Sequence, residues 1–229
     1  MPKIPLFLAM AGVSLLALLA LPAGAAIVSG QVDDFEDGGV QNWEAGSQNP
    51  HGPTNILSGG PDGVGDNYLR LVSDGSGSGG KLVVFNERHQ WAGNYLGAGV
   101  SSIQMQVKNF GMTDLLLRLI LDSASFGPGL TSSRPISVPA ASDWRTVSFS
   151  LASSDLAGGA YNAVMSNVLA LNLVHSPSVI GARSSAPNVL AHLGVNNITA
   201  VPEPSTLVLA GMGLLALMYR GRRKSRDAA

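Results

Sequence analysis

Cysteine is absent from the 229 residues, which excludes disulfides, thiol catalysis and cysteine-ligated zinc or iron–sulfur sites. Catalytic signatures are missing too. The four histidines have no H-x-x-x-H or H-E-x-x-H spacing, no G-x-S-x-G elbow occurs, and the Gly-rich stretch Gly75–Gly80 lacks the Lys-Ser/Thr ending of a phosphate loop. The sequence therefore predicts a protein that is not an enzyme and that relies on its core, or on a structural ion, for stability.

Charged residues make up only 13% of the chain, and their two signs are unevenly distributed. Residues 26–200 hold eight Lys and Arg against thirteen Asp and Glu, whereas five cations crowd into Arg220–Arg226. An acidic body argues against nucleic acid as a partner, because counterion release needs clustered cations. The basic tail is better interpreted as a membrane topology signal.

The first 25 residues have the composition of a secretory signal peptide. Lys3 supplies the positive start, Leu6–Leu21 the apolar run, and Ala23-Gly24-Ala25 the small-residue cleavage pattern, which places the cut before Ala26. An uncleaved membrane anchor is the alternative, but the apolar run is short and a cleavage pattern follows it. We therefore expect an exported protein whose signal helix is removed.

The C-terminus consists of three consecutive parts. The extended segment 201–206 comes first, then the apolar run Leu207–Tyr219, then the cationic cluster. As a helix, the run of about 13 residues spans roughly 20 Å, short of the ~30 Å hydrocarbon core. The positive-inside rule places the arginines in the cytoplasm and the body outside. The prolines Pro202 and Pro204 favour a stiff, extended and accessible backbone beside the membrane.

This end closely resembles the PEP-CTERM sorting signal of Gram-negative bacteria. The residues that carry the resemblance are Val201, Pro202, Glu203, Pro204 and Ser205, the Gly211-x-Gly213 run and the Arg-rich terminus. The resemblance implies a transient inner-membrane anchor, processing by an exosortase-like membrane enzyme, and a host that makes exopolysaccharide. An ordinary tail anchor preceded by a chance Pro-x-Pro is the alternative. The sequence therefore divides into a signal peptide (1–25), a body (26–200) and a sorting signal (201–229) with motif 201–206, transmembrane helix 207–219 and basic tail 220–229.

The body shows short alternating or apolar stretches separated by Gly, Ser, Pro, Asn and Asp, which predicts an all-β antiparallel sandwich or barrel. Ser153–Ser166 is predicted as a short helix. The predicted strands are Val32–Phe35, Asn67–Ser73, Lys81–Asn86, Ser102–Val107, Leu115–Leu121, Pro135–Val138, Thr146–Leu151, Val168–Val174 and Leu193–Thr199.

Three segments of the body also resemble the jelly-roll β-sandwich of carbohydrate-binding modules. They are Asp34–Gly38 followed by Trp43, Asp143–Phe149, and Gly194–Ile198. The resemblance implies a structural calcium shared by the first and last strands, for which the candidate ligands are Asp34, Glu36 and Asn196. Calcium prefers hard oxygen ligands, usually including carboxylates. Asn196 stands where an Asp is common in that class, and a solvated strand end without metal is the alternative.

Aromatic residues are few, and three tryptophans are the candidates for stacking on sugar rings. Trp91 is the preferred one, because Arg88 precedes it, Asn94 and Tyr95 follow it, and such a mixture suits sugar hydroxyls. Core packing is the alternative for Trp91, and it is favoured for Trp43 and Trp144, which adjoin predicted strands.

The sequence thus predicts an exported cell-surface or matrix protein that associates with exopolysaccharide through a non-catalytic sandwich. A structural or adhesive matrix protein without a defined ligand is the first alternative, and it predicts buried tryptophans. A carbohydrate-active enzyme is the second, and it requires acidic or tyrosine side chains converging in a groove.

Overall fold

The computed structural model describes residues 26–123 and 129–203. These residues form twelve strands and one helical turn, α1 (Tyr161–Met165), with short 3₁₀ turns at Gly77–Gly79 and Arg183–Ser185. The strands are β1 (Val32–Asp33), β2 (Thr54–Ile56), β3 (Tyr68–Asp74), β4 (Val83–Glu87), β5 (Val100–Asn109), β6 (Leu115–Ser123), β7 (Leu130–Ser132), β8 (Ile136–Val138), β9 (Arg145–Ser150), β10 (Leu156–Gly158), β11 (Val168–His175) and β12 (Leu190–Pro202).

Two antiparallel sheets pack face to face. The first sheet has the order β2-β3-β12-β5-β9, with β1 also paired to β12, and the second has the order β10-β7-β6-β11-β4, with β8 paired to β6. The first and last of these strands, β1 and β12, are therefore neighbours. This arrangement confirms the predicted jelly-roll sandwich.

The period-two pattern of β5 explains how the first sheet faces the core. Ile103, Met105 and Val107 are fully buried, whereas the residues between them are exposed or half-buried. In β6 the apolar run does not alternate, because both faces of this strand are covered. Leu117 and Leu119 belong to the main core, whereas Ile120 packs outside the sheet in a second apolar cluster with Val174 and Ala186.

Arg118 holds the segment that covers the outer face of the second sheet. Its guanidinium is buried and donates to the carbonyls of Ser176 at 3.0 Å, Pro177 at 3.1 Å and Ser132. Burial lowers the pKa of Arg118 from its usual value. Backbone carbonyls accept all three of these hydrogen bonds, so the side chain acts as a staple between β6 and the loop that follows β11.

All nine predicted strands are present, with ends shifted by a few residues. Three short strands were missed, β2, β7 and β10, and β10 occupies part of the region predicted as helix. The predicted signal helix and the transmembrane helix lie outside the described residues. Within residues 26–123 and 129–203, no helix is long and apolar enough to cross a bilayer.

Strand β12 also crosses the predicted boundary between the body and the sorting signal. The boundary was placed after Ala200, but the strand continues to Pro202. The amide of Glu203 then donates to the Gly99 carbonyl at 3.0 Å. The sheet therefore includes the first residues of the motif.

Replacing Arg118 with Met tests the staple. We expect Arg118→Met to lower the free energy of unfolding by about 2–4 kcal/mol, because three buried carbonyls lose their donor. Arg134→Met, at an exposed arginine, is the control and is expected to change stability by less than about 0.5 kcal/mol. Urea denaturation measures both, and equal losses for the two variants would contradict the role given to Arg118.

Candidate functional site

Two of the residues predicted to contact a glycan are buried. Trp91 and Tyr95 have 0% exposure and belong to the main core cluster. The tyrosine hydroxyl donates to the Trp91 carbonyl at 2.9 Å, and burial strongly raises the Tyr95 pKa. Neither ring can be reached by a sugar, so the expectation that these two side chains bind ligand is corrected.

The buried tryptophans share one carboxylate. Oδ2 of Asp33 accepts the indole N–H of Trp43 at 2.7 Å and that of Trp91 at 2.6 Å. Gln90 Nε2 donates to the same oxygen at 3.0 Å. The two indole rings lie 6.2 Å apart, tilted by 51°. This arrangement satisfies both indoles inside the core, as buried Trp N–H groups require.

Burial is the main influence on the Asp33 carboxyl. Asp33 is 5% exposed, and loss of solvation raises its pKa above the ordinary 3.8. The hydrogen bonds from Trp91, Trp43 and Gln90 lower the pKa without cancelling the effect of burial, and the charge of Asp34 raises it slightly. Asp33 is thus a buried carboxyl whose Oδ2 accepts three hydrogen bonds, an arrangement that stabilises the core around it.

The other two predicted contact residues lie at the surface. Arg88 is exposed, has a positive φ of 61° and forms a 3.6 Å ion pair with Glu87. Asn94 is exposed, and its carbonyl oxygen accepts the Gly97 amide at 2.8 Å as a turn cap. A ligand role for these two side chains stays a prediction.

A cluster of aromatic rings lies on the outer face of the first sheet. We call it the aromatic platform, and it consists of Tyr68, Phe110, Trp144 and His192. The centroids of Tyr68 and Phe110 are 5.7 Å apart and nearly stacked, and Trp144 meets both rings edge to face, at 5.4 and 6.3 Å. His192 lies 5.0 Å from Phe110. Trp144 and Phe110 are partly exposed, so solvent reaches aromatic rings at this surface.

Gly194 makes room for the platform. A Cβ atom at this position would lie 2.8 Å from Cη2 of Trp144 and 2.9 Å from Cε2 of Phe110. The rings therefore rest on bare backbone of β12. The β2–β3 hairpin fixes the indole from the other side, since Trp144 Nε1 donates to the Gly59 carbonyl at 3.0 Å.

Polar and charged side chains surround the aromatic platform. Lys108 Nζ lies 5.1 Å from the Phe110 centroid and 3.2 Å from Asp143. Burial lowers the pKa of His192, and the charge of Arg70, which is partly exposed on β3, lowers it further, so the neutral imidazole is favoured. Two amide side chains lie on the same sheet, where Asn197 Nδ2 donates to Gln106 Oε1 at 2.6 Å.

A polar groove runs along the edge strand β4 of the second sheet. It consists of three adjoining pockets of about 450, 380 and 260 Å³, which share Gly46. The ring of Phe85 forms part of its wall but is covered by the guanidinium of Arg183, 3.7 Å from the centroid. Arg183 is in turn held by Glu87 at 2.8 Å. The other lining side chains include Glu44, Gln48, Asn49, Ser78, Lys81 and Arg88.

The predicted calcium ligands all have protein partners. Asp34 accepts the Glu36 amide at 3.2 Å, Glu36 accepts the Asn67 amide at 2.8 Å, and Asn196 donates to Asp66 at 3.2 Å. Among the described residues, no group of three or more His, Asp or Glu side chains is placed to hold a metal ion. Calcium binding stays a prediction.

The comparisons with known proteins agree with two predictions, the C-terminal sorting signal and the sandwich fold. Residues 200–224 match the family described as PEP-CTERM protein-sorting motif, which confirms the sorting signal and marks the chain as an exported protein. No curated protein sequence gives a match.

Among solved structures, an exo-beta-agarase is similar over 77% of this chain, with a TM-score of 0.55 and 15% identity. The chain spans only about a quarter of that agarase, so the likeness shows the sandwich fold alone. Two carbohydrate-binding modules are also similar, at TM-scores of 0.46 and 0.48. The family 11 module from Clostridium thermocellum is 14% identical over 77% of this chain and 99% of its own, and the family 28 module is 10% identical over 78% and 99%.

Changing Asp33 tests the buried carboxylate. We expect Asp33→Ala to lower the free energy of unfolding by about 2–4 kcal/mol, because two buried indole N–H groups lose their acceptor. Asp33→Asn keeps one carbonyl oxygen and is expected to cost less. Urea denaturation at pH 7 measures the free energy of unfolding of both variants. An alanine variant as stable as the asparagine variant would contradict the acceptor role.

The same carboxyl predicts a dependence of stability on pH. Since the folded-state pKa of Asp33 exceeds 3.8, the folded protein binds this proton more tightly than the unfolded chain does. Lowering the pH through the raised pKa towards 3.8 therefore adds stability from this group, and raising the pH removes it. Measured against Asp33→Asn, the wild-type free energy of unfolding should rise as the pH falls. A difference that stays constant between neutral and acidic pH would show that Asp33 titrates normally.

Proposed function

We propose that this chain is an exported, non-catalytic polysaccharide-binding protein of the cell surface or extracellular matrix, and that the aromatic platform is its binding site. The observation that carries the proposal is the partial exposure of Trp144 on a sheet face, beside three other aromatic rings. The core tryptophans Trp43 and Trp91 offer nothing comparable, since both are enclosed.

The chemistry of the platform suits a sugar ring. Apolar C–H groups of a pyranose pack on an aromatic side chain, and the indole contributes a large, rigid contact area at little cost in side-chain entropy. Planar amides and cations beside the rings then select hydroxyl or carboxylate groups of the sugar. Lys108 and Arg70 supply cations beside the rings, and Gln106 and Asn197 supply amides on the same sheet.

The sorting signal supports the proposed location of this binding, outside the cytoplasm. An exported chain that carries a PEP-CTERM motif is delivered to the envelope, where an exosortase-type enzyme would process its tail. We propose that residues 207–219 anchor the precursor in the inner membrane until then. The mature body would then lie among the exopolysaccharides of the host, and these are the proposed ligands.

A second candidate function, a structural matrix protein without a defined ligand, is favoured by one specific observation. That function requires tryptophans to be core residues, and Trp43 and Trp91 are. The partial exposure of Trp144 separates the two functions, because a purely structural role gives no reason to keep an indole at the surface.

Substitution of Trp144 tests the proposed site. We expect Trp144→Ala to weaken binding of the mature body to the exopolysaccharide of its host by at least about tenfold, as for a buried aromatic anchor of an interface. Trp144→Phe should retain part of the affinity. Isothermal titration measures the affinity, and thermal melts establish that each variant is folded.

The control lies in the polar groove on the other sheet. Lys81→Ala changes a groove residue remote from the platform and should leave the affinity unchanged. Loss of binding in Lys81→Ala with retention in Trp144→Ala would move the site to the groove. Absence of wild-type binding to any host polysaccharide would favour the structural function instead.

A further inference from the structure

The sorting motif and the folded body overlap in this protein. The family match begins at residue 200, and β12 ends at Pro202. Residues 200–202 therefore belong both to the signal that a processing enzyme recognises and to the first sheet, and Glu203 follows directly. The body ends without a linker, so the start of the motif has the position and direction of a sheet strand.

A bulge in the sheet accommodates the first proline of the motif. Val201 is paired with Ser102 of β5, but Pro202 is paired with Val100, so the register skips Ser101. Proline has no N–H to donate to a ladder, and within sheets it is found at edges and bulges. The bulge thus follows from the motif's own sequence.

Ser101 supplies the hydrogen bonds at this bulge. Its hydroxyl oxygen lies 3.0 Å from the Pro202 carbonyl and 3.3 Å from the Val201 carbonyl, close enough to donate to either. One residue further, the Glu203 amide donates to the Gly99 carbonyl at 3.0 Å. The backbone of Val201, Pro202 and Glu203 is therefore held by Ser101 of β5 and by Gly99 just before that strand.

The side chains of the same residues stay available. Pro202 and Glu203 are exposed, and Val201 is half-buried. A segment docked through its backbone with its side chains outward is already extended, which is the conformation in which peptide segments are commonly recognised. Fixing these residues in advance also removes part of the ordering cost that a flexible tail would incur on binding.

We propose that Ser101 is a positioning residue for tail processing: it docks the start of the sorting motif on the body, so that the processing enzyme meets a preformed extended segment. The inference rests on the proposed processing of the tail, and it is independent of glycan binding. The partner is a membrane enzyme that reads Pro202 and Glu203 from the exposed side of β12.

The test uses the full-length precursor in a host that processes it. We expect Ser101→Ala to lower the rate of tail removal by about three- to tenfold, the effect of losing one hydrogen bond of ordinary net strength. Pulse-chase labelling followed by separation of precursor and product gives the rate. Ser101→Thr keeps the hydroxyl and should restore most of it.

Two measurements separate positioning from general stability. Ser102→Ala alters the next serine of β5, whose hydroxyl makes no hydrogen bond to the motif within the described part of the chain, and it should be processed at the wild-type rate. Thermal melts of the bodies should show Ser101→Ala no less stable than Ser102→Ala. A Ser101→Ala rate equal to or faster than wild type would overturn the proposal. A wild-type precursor that is never cut would instead overturn the processing step of the proposed function.

Discussion

The Asp33 carboxylate, shared by two indole N–H groups inside the sandwich, is the contact on which the rest of the arrangement depends. It joins β1 to the loop around Trp43, 10 residues later, and to the loop around Trp91, 58 residues later. A buried carboxylate costs free energy unless its oxygens accept hydrogen bonds, and a buried indole N–H needs an acceptor. The carboxylate and the two indoles therefore satisfy each other's hydrogen-bonding requirement. Because Asp33 lies in β1, whose backbone pairs with β12, the same contact links both loops to this pair of strands.

The fold was predictable because its signals are local. Alternation in β5 and turn residues between short strands identify a sandwich without knowledge of distant contacts. The three missed strands, each three residues long, are too short to show a period. Trp91 was misjudged for a different reason. Its polar neighbours Arg88 and Asn94 suggested a glycan site, but the Trp91 indole N–H instead donates to Asp33, 58 residues earlier in the chain.

Trp144 was misjudged in the opposite direction, as a core residue, and again because the deciding contacts are distant in sequence. Its position beside a strand suggested core packing, yet the indole lies on the outer face of the first sheet. The space for it exists because Gly194, 50 residues later, has no side chain. Whether a tryptophan is enclosed or exposed was thus decided by partners far along the chain. The outer faces of the two sheets differ as well. Arg118 and Arg183 hold a loop over the outer face of the second sheet, whereas the aromatic platform lies on that of the first.

The central position of β12 has a mechanical consequence. This strand of 13 residues is paired with β3 and β5 on its two sides, and with β1 as well. A tension applied to the chain beyond Glu203 pulls β12 lengthwise against antiparallel neighbours. Hydrogen bonds perpendicular to the pull then share the stress and must break together rather than one after another. A body tethered by this end would resist shear from flowing fluid with its longest strand.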